Sequence, residues 1–260
     1  MSLELHHRLD GPDDAPTLML SNSLGTALGM WDDQLPALSH KFRVLRYDQR
    51  GHGRSPAPPG PYTIAELAGD ALELLDRLGL ERVSFCGVSL GGMTGLWLAI
   101  NAPDRIDSLG LCCTSAHLPP PEKWTRRAAA VRAQGMEAVA DEVLEGWFTP
   151  ALAERRPQVM EWARRTLLDT PAEGYAGCCE AIVTHDLRGE LGSIRAPTLV
   201  VAAEEDPATP PEHGRLIAEA IDGTRLVVLE RARHLASVER PEAFTRELIR
   251  HLTREVVNER

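Results

Sequence analysis

Short apolar runs alternate with amphipathic stretches along the first part of the chain. Residues 17–21, 42–47, 83–86 and 106–113 read as short buried strands bounded by polar residues, glycine or proline. Between them, 63–78 carries Ile64, Leu67, Ala68, Ala71, Leu74, Leu75 and Leu78 at helical spacing, with Thr63 and Glu66 at capping-box spacing and Gly79 as a stop. A second helix is predicted over 91–101. Strand–helix–strand alternation at this spacing predicts a mostly parallel central sheet flanked by helices.

The pattern changes at Leu118, where Pro119, Pro120 and Pro121 interrupt the chain. From there to about Arg188 the sequence is helical and carries Trp124, Trp147, Trp162 and Tyr175, aromatic residues suited to a pocket. The sheet pattern then resumes with strands at 198–203 and 225–229 and a closing helix over 242–252. The expectation is an α/β core in two pieces, 1–117 and 191–260, with a helical cap, 118–190, inserted between them.

With 43% hydrophobic and 25% charged residues, the 260-residue chain has an ordinary globular composition and ample core for one α/β domain. Its apolar runs are too short to span a bilayer, and no basic-then-apolar leader is visible at the N-terminus, so no membrane partner is expected. The formal net charge of -10 argues against nucleic acid as a partner. Cys86, Cys112, Cys113, Cys178 and Cys179 show no CxxC spacing and read as small buried hydrophobes in a reducing compartment. A cytoplasmic location is therefore expected, with no metal site. Nothing in the sequence sets the oligomeric state.

Gly87-Val88-Ser89-Leu90-Gly91 stands between a predicted strand and a predicted helix. That context makes it a nucleophile elbow and the fold class an α/β-hydrolase fold with an inserted helical cap. The glycines leave room for the sharp turn, and the helix N-terminus favours negative charge near Ser89. A serine hydroxyl needs a base. Of the nine histidines, His234 follows a strand and precedes the terminal helix, where the base of this fold belongs. His6, His7, His40, His213 and His251 read as surface residues, and His52 as a loop brace. His117 and His185 could approach a pocket from the cap boundary. Asp206, after the strand at 198–203, is the expected partner of His234, with Glu204 and Glu205 as competitors. The order Ser, Asp, His suits this fold. The expected oxyanion donors are the backbone N–H groups of Leu90 and Leu24.

On these residues the chain resembles the 3-oxoadipate enol-lactonases, nearly end to end. The likeness includes Ser21-Asn22-Ser23-Leu24-Gly25-Thr26, Tyr47-Asp48-Gln49-Arg50-Gly51-His52-Gly53, Gly87 to Gly92, and Ala208-Thr209-Pro210-Pro211. In the cap it includes Trp124-Thr125-Arg126-Arg127, Gly146-Trp147-Phe148-Thr149-Pro150 and His185-Asp186-Leu187-Arg188. One departure is Ala203-Glu204-Glu205 ahead of Asp206, where relatives commonly carry a glycine. The resemblance implies hydrolysis of 3-oxoadipate enol-lactone, a small anionic lactone of the β-ketoadipate route, through a Ser89 acyl-enzyme and without a cofactor. The substrate carboxylate then requires a local cation. Arg127 is the first candidate, with Arg126, Lys123 and Arg188 behind it, and Trp124 and Trp147 are candidate pocket walls. A carboxylesterase, a carbon–carbon bond hydrolase or a perhydrolase would share the triad, and a receptor with slow or no turnover would share the fold. Ser89 argues against dehalogenases and epoxide hydrolases, which use aspartate there.

Overall fold

A computed structural model of the protein describes residues 3–253. In chain order its core elements begin with β1 (His7–Asp10), β2 (Thr17–Ser21), α1 (Leu35–Leu38) and β3 (Arg43–Tyr47). They continue with α2 (Ile64–Arg77), β4 (Val83–Val88), α3 (Leu90–Asn101) and β5 (Ile106–Cys112). Five helices follow without an intervening strand: α4 (Pro121–Gln134), α5 (Ala140–Trp147), α6 (Pro150–Arg155), α7 (Pro157–Leu168) and α8 (Ala172–Val183). The core resumes with β6 (Thr198–Ala203), α9 (Pro211–Ala220), β7 (Arg225–Leu229), α10 (Ala236–Glu239) and α11 (Pro241–Leu252).

The strands form one sheet in the order β1-β3-β2-β4-β5-β6-β7. All neighbours run parallel except β1, which pairs antiparallel to β3 through His7–Tyr47 to Asp10–Val44. Alternation along each strand feeds two cores. Leu18, Leu20, Val44, Cys86 and Val88 pack on one face, with α11 and the inserted helices. Met19, Leu45 and Phe85 pack on the other, against α2, α3 and α9. Every residue of β6 is buried, as expected of a strand covered on both faces.

The capping box of α2 is formed: Glu66 N–H donates to Thr63 Oγ1 at 3.1 Å, and Thr63 N–H donates to Glu66 Oε2 at 2.8 Å. Gly79 follows with φ +67°, the left-handed conformation that ends the helix. The winding of the sheet reverses at β2, which pairs with β3 on one side and β4 on the other. Ligand sites in such sheets gather beyond the carboxyl ends of the strands at that reversal. Helices α5 and α8 reach the same place. Leu235 N–H donates to Trp147 O at 3.1 Å, and Gly174 lies so close to Gly51 that a Cβ on Gly51 would sit 2.4 Å from Gly174 Cα. His117, ahead of α4, and Asp186, after α8, pair in an isolated antiparallel bridge. Among the described residues, no helix is long and apolar enough to cross a membrane.

Candidate active site

β4 ends at Val88 and α3 begins at Leu90, so Ser89 makes the turn alone. Its φ of 55° and ψ of -114° lie where few non-glycine residues go. Ser89 N–H donates to Cys112 O at 2.8 Å, and Ser89 O accepts from Thr114 Oγ1 at 2.7 Å and from Met93 N–H at 3.0 Å. Contacts explain the flanking glycines. A Cβ on Gly87 would lie 2.2 Å from the Gly91 carbonyl, and one on Gly91 would lie 2.4 Å from Ser21 O.

The loop after β2 packs onto the start of α3, where Gly91 N–H donates to Asn22 O at 3.0 Å. The N–H groups of Leu24 and Leu90 have no acceptor among the described residues. His52 holds the loop from behind: Gly25 N–H donates to His52 Nε2 at 2.9 Å, and His52 Nδ1 lies 3.1 Å from Arg50 O. A neutral ring satisfies both contacts, with Nδ1–H donating and Nε2 accepting. Burial lowers the His52 pKa to about 4, against opposing contributions from the Arg50 carbonyl and Asp48.

Asp206 accepts from His234 Nδ1 at 2.8 Å. Its oxygens also take Thr209 Oγ1 at 2.7 Å, Ala208 N–H at 2.8 Å and Thr209 N–H at 3.0 Å. Burial alone would raise the Asp206 pKa, but the charge and hydrogen bond of His234 and the Thr209 donors outweigh it and hold the carboxyl below its usual value. Glu204 and Glu205 are exposed. Their N–H groups pin the loop to Leu229 O and Ala232 O, each at 3.0 Å, so the loop turns without the glycine expected there.

Ser89 and His234 line one cavity of about 300 Å³ with Ser23, Leu24, Trp124 and Trp147. No hydrogen bond joins Ser89 to His234 among the described residues; such bonds commonly tighten only with substrate seated. Arg127 and Lys123, one helical turn apart on α4, also reach the cavity. The Arg127 guanidinium lies 5.2 Å from the Trp124 ring centre and pairs with Glu142. Burial would lower the Arg127 pKa, but Tyr175 and Glu142 outweigh it. Lys123 Nζ lies 5.8 Å from the same ring; burial and then the neighbouring Arg127 charge lower its pKa. Trp124 Nε1 is buried with no protein acceptor.

Other candidate residues lie elsewhere. Arg126 is exposed, and Arg188 is paired with Asp186 at 2.7 Å; neither lines the cavity. His117 and His185 stay outside it as well, with His185 Nε2 within 3.0 Å of Ser115 O. The sequence assigned no role to Thr209 or Arg233. The Asp206-Pro207-Ala208-Thr209 string is the kind that closes an Asx turn, a signal that could have found Thr209. Arg233 lines the cavity and donates to Glu145 O at 2.6 Å, tying the His234 loop to α5; no local pattern announces that contact. Among the described residues, no group of three or more His, Cys, Asp or Glu side chains is placed to hold a metal.

A strained serine at a strand-to-helix turn, a buried Asp–His pair and free backbone donors can together perform acyl transfer. The chain belongs to the α/β-hydrolase fold family, whose family model matches residues 16–241. Within that class it is 42% identical over 240 residues to 3-oxoadipate enol-lactonase 2 of Acinetobacter baylyi, covering 92% of this chain and 90% of that one. The crystal structure of the enol-lactonase from Burkholderia xenovorans LB400 superposes with a TM-score of 0.95 at 49% identity, covering 96% of this chain and 97% of that one. A thermophilic esterase from Thermogutta terrifontis, solved with malate bound, superposes with a TM-score of 0.92 at 30% identity, covering 97% and 94%.

Proposed function

We propose that this chain hydrolyses 3-oxoadipate enol-lactone to 3-oxoadipate in aromatic-acid breakdown, as a cytoplasmic enzyme. The observation that carries the reading is the meeting of Ser89 and the Asp206-bound His234 with Arg127 and Lys123 in one small cavity. The enol-lactonase relatives supply the substrate.

In this reading Ser89 Oγ attacks the lactone carbonyl while His234 takes its proton. The Leu24 and Leu90 N–H groups stabilise the oxyanion. The carbon–oxygen bond of the ring breaks, and the leaving enolate is protonated by His234 and becomes a ketone, which disfavours reclosure. His234 then deprotonates water, which attacks the Ser89 ester and releases the acid. Asp206, kept ionised by its donors, orients the imidazole and stabilises it when charged.

The chain carries a net charge of -10, so long-range steering opposes an anionic substrate and recognition is local. Arg127 supplies the fork that matches a carboxylate, with Lys123 and the unpartnered Trp124 N–H beside it. Trp147 completes the apolar wall, and residues 118–190 act as the cap over the core.

The test is a coupled assay in which muconolactone and its isomerase generate the enol-lactone, and loss of its absorbance is followed. Rapid, enzyme-dependent loss is expected. A neutral aryl ester turned over at a matching rate would assign the chain to the general carboxylesterases instead.

A further inference from the structure

The end of β2 and the loop that follows it use up nearly all of their polar side chains in holding their own shape. Ser21 Oγ bonds Tyr47 Oη at 2.8 Å. Asn22 donates from Nδ2 to Tyr47 O at 2.8 Å and accepts from Trp31 Nε1 at 2.9 Å. Thr26 Oγ1 donates to Ser23 O at 2.7 Å. The exception is Ser23. Its N–H donates to Met30 Sδ at 3.4 Å and its carbonyl accepts from Thr26, yet its hydroxyl has no protein partner. The residue is 1% exposed and lines the cavity beside Ser89 and Leu24.

A buried hydroxyl without a partner destabilises the fold, and such groups in native structures call for an explanation. An alanine here would bury as well and leave nothing unsatisfied. We propose that the Ser23 hydroxyl is a third oxyanion donor, serving the carbonyl oxygen beside the N–H groups of Leu24 and Leu90. This rests on the Ser89 acyl-enzyme reading. The acceptor it lacks arises when the carbonyl oxygen takes up negative charge on attack by Ser89 Oγ. An interaction made only then accelerates the chemical step rather than tightening substrate binding. A hydroxyl donating to an anionic oxygen is among the stronger hydrogen bonds.

The test is Ser23→Ala, assayed on the enol-lactone and on p-nitrophenyl acetate, with thermal unfolding alongside. Removing one donor from such a site costs about 10²–10³ in kcat, and a loss of about 30-fold is expected with two donors remaining. The loss falls on kcat for both substrates with KM nearly unchanged, and Tm stays level or rises. A kcat for p-nitrophenyl acetate within threefold of wild type overturns the proposal, whether or not the enol-lactone is turned over. So does a change confined to KM, a loss confined to the enol-lactone, or a lowered Tm, which would make the hydroxyl structural. Absence of enol-lactone turnover with ester hydrolysis intact strikes only the substrate reading. A wild-type protein inert to both substrates removes the acyl-enzyme reading and this proposal with it.

Discussion

His52 offers a quantitative test of how the loop after β2 is held. The ring is fully buried, and its Nε2 accepts the Gly25 N–H, one residue beyond Leu24. Protonation would turn that acceptor into a donor facing another donor. The folded pKa is lowered from 6.5 to about 4, so the folded state resists the proton while the unfolded chain takes it up below 6.5. Above pH 6.5 the ring is neutral in both states and this contribution to stability is fully present. As pH falls from 6.5 towards 4 the unfolded state binds more protons, and stability drops by up to about 1.4 kcal/mol per pH unit. Across that window the loss approaches about 3 kcal/mol, or roughly 6–12 °C in Tm for a chain of this size. His52→Gln can keep an acceptor for Gly25 and cannot titrate. Urea unfolding followed by tryptophan fluorescence, at several pH values from 7.5 to 4.5, compares the two proteins. The two proteins share every other ionisable group, so the difference between the curves isolates His52. The wild type should lose stability more steeply than His52→Gln below pH 6.5. Parallel curves would refute the account of the loop.

Four further outcomes are expected. Ser89→Ala should lower kcat by about 10⁴–10⁶ while retaining product binding by calorimetry, and turnover within tenfold of wild type would contradict the nucleophile assignment. Asp206→Asn should cost about 10⁴ in kcat in steady-state assays, because the imidazole loses its orienting charge; a loss below tenfold would contradict the relay. In Gly91→Ala the new Cβ would lie 2.4 Å from Ser21 O. The backbone must shift, at a cost of about 3 kcal/mol in urea unfolding; a cost under about 1 kcal/mol would mean that the elbow yields easily. Arg127→Ala should raise KM for the carboxylate-bearing lactone about tenfold or more and spare neutral esters, as expected of a lost charge-assisted hydrogen bond. Equal effects on both substrates in parallel assays would remove Arg127 from carboxylate recognition.

The sheet was legible because strands buried on both faces read as continuous apolar runs, as in β6. Strand β1 was not. It is a four-residue antiparallel edge with the sequence His-Arg-Leu-Asp, held by pairing with β3 rather than by apolar content of its own. Helix α9 was missed for a related reason. Pro210, Pro211 and Gly214 hide its period, although Gly214 lies close under Val200 and Ala202. The run of five helices between β5 and β6 was visible as a change of texture, but its individual boundaries were not.

Chain order and local chemistry alone made Ser89, Asp206 and His234 the candidates, since strain at an elbow and a loop after a strand leave marks between near neighbours. The Thr209 donors to Asp206 and the Gly25 N–H that His52 accepts depend on side-chain directions set by packing. Lys123 and Arg127 share a cavity with Ser89 only through the packing of α4 in the folded chain, and Ser23 stands out only once its neighbours' partners are known. Hydrogen-bond satisfaction and burial belong to contacts between distant segments, and those exist only in the folded chain.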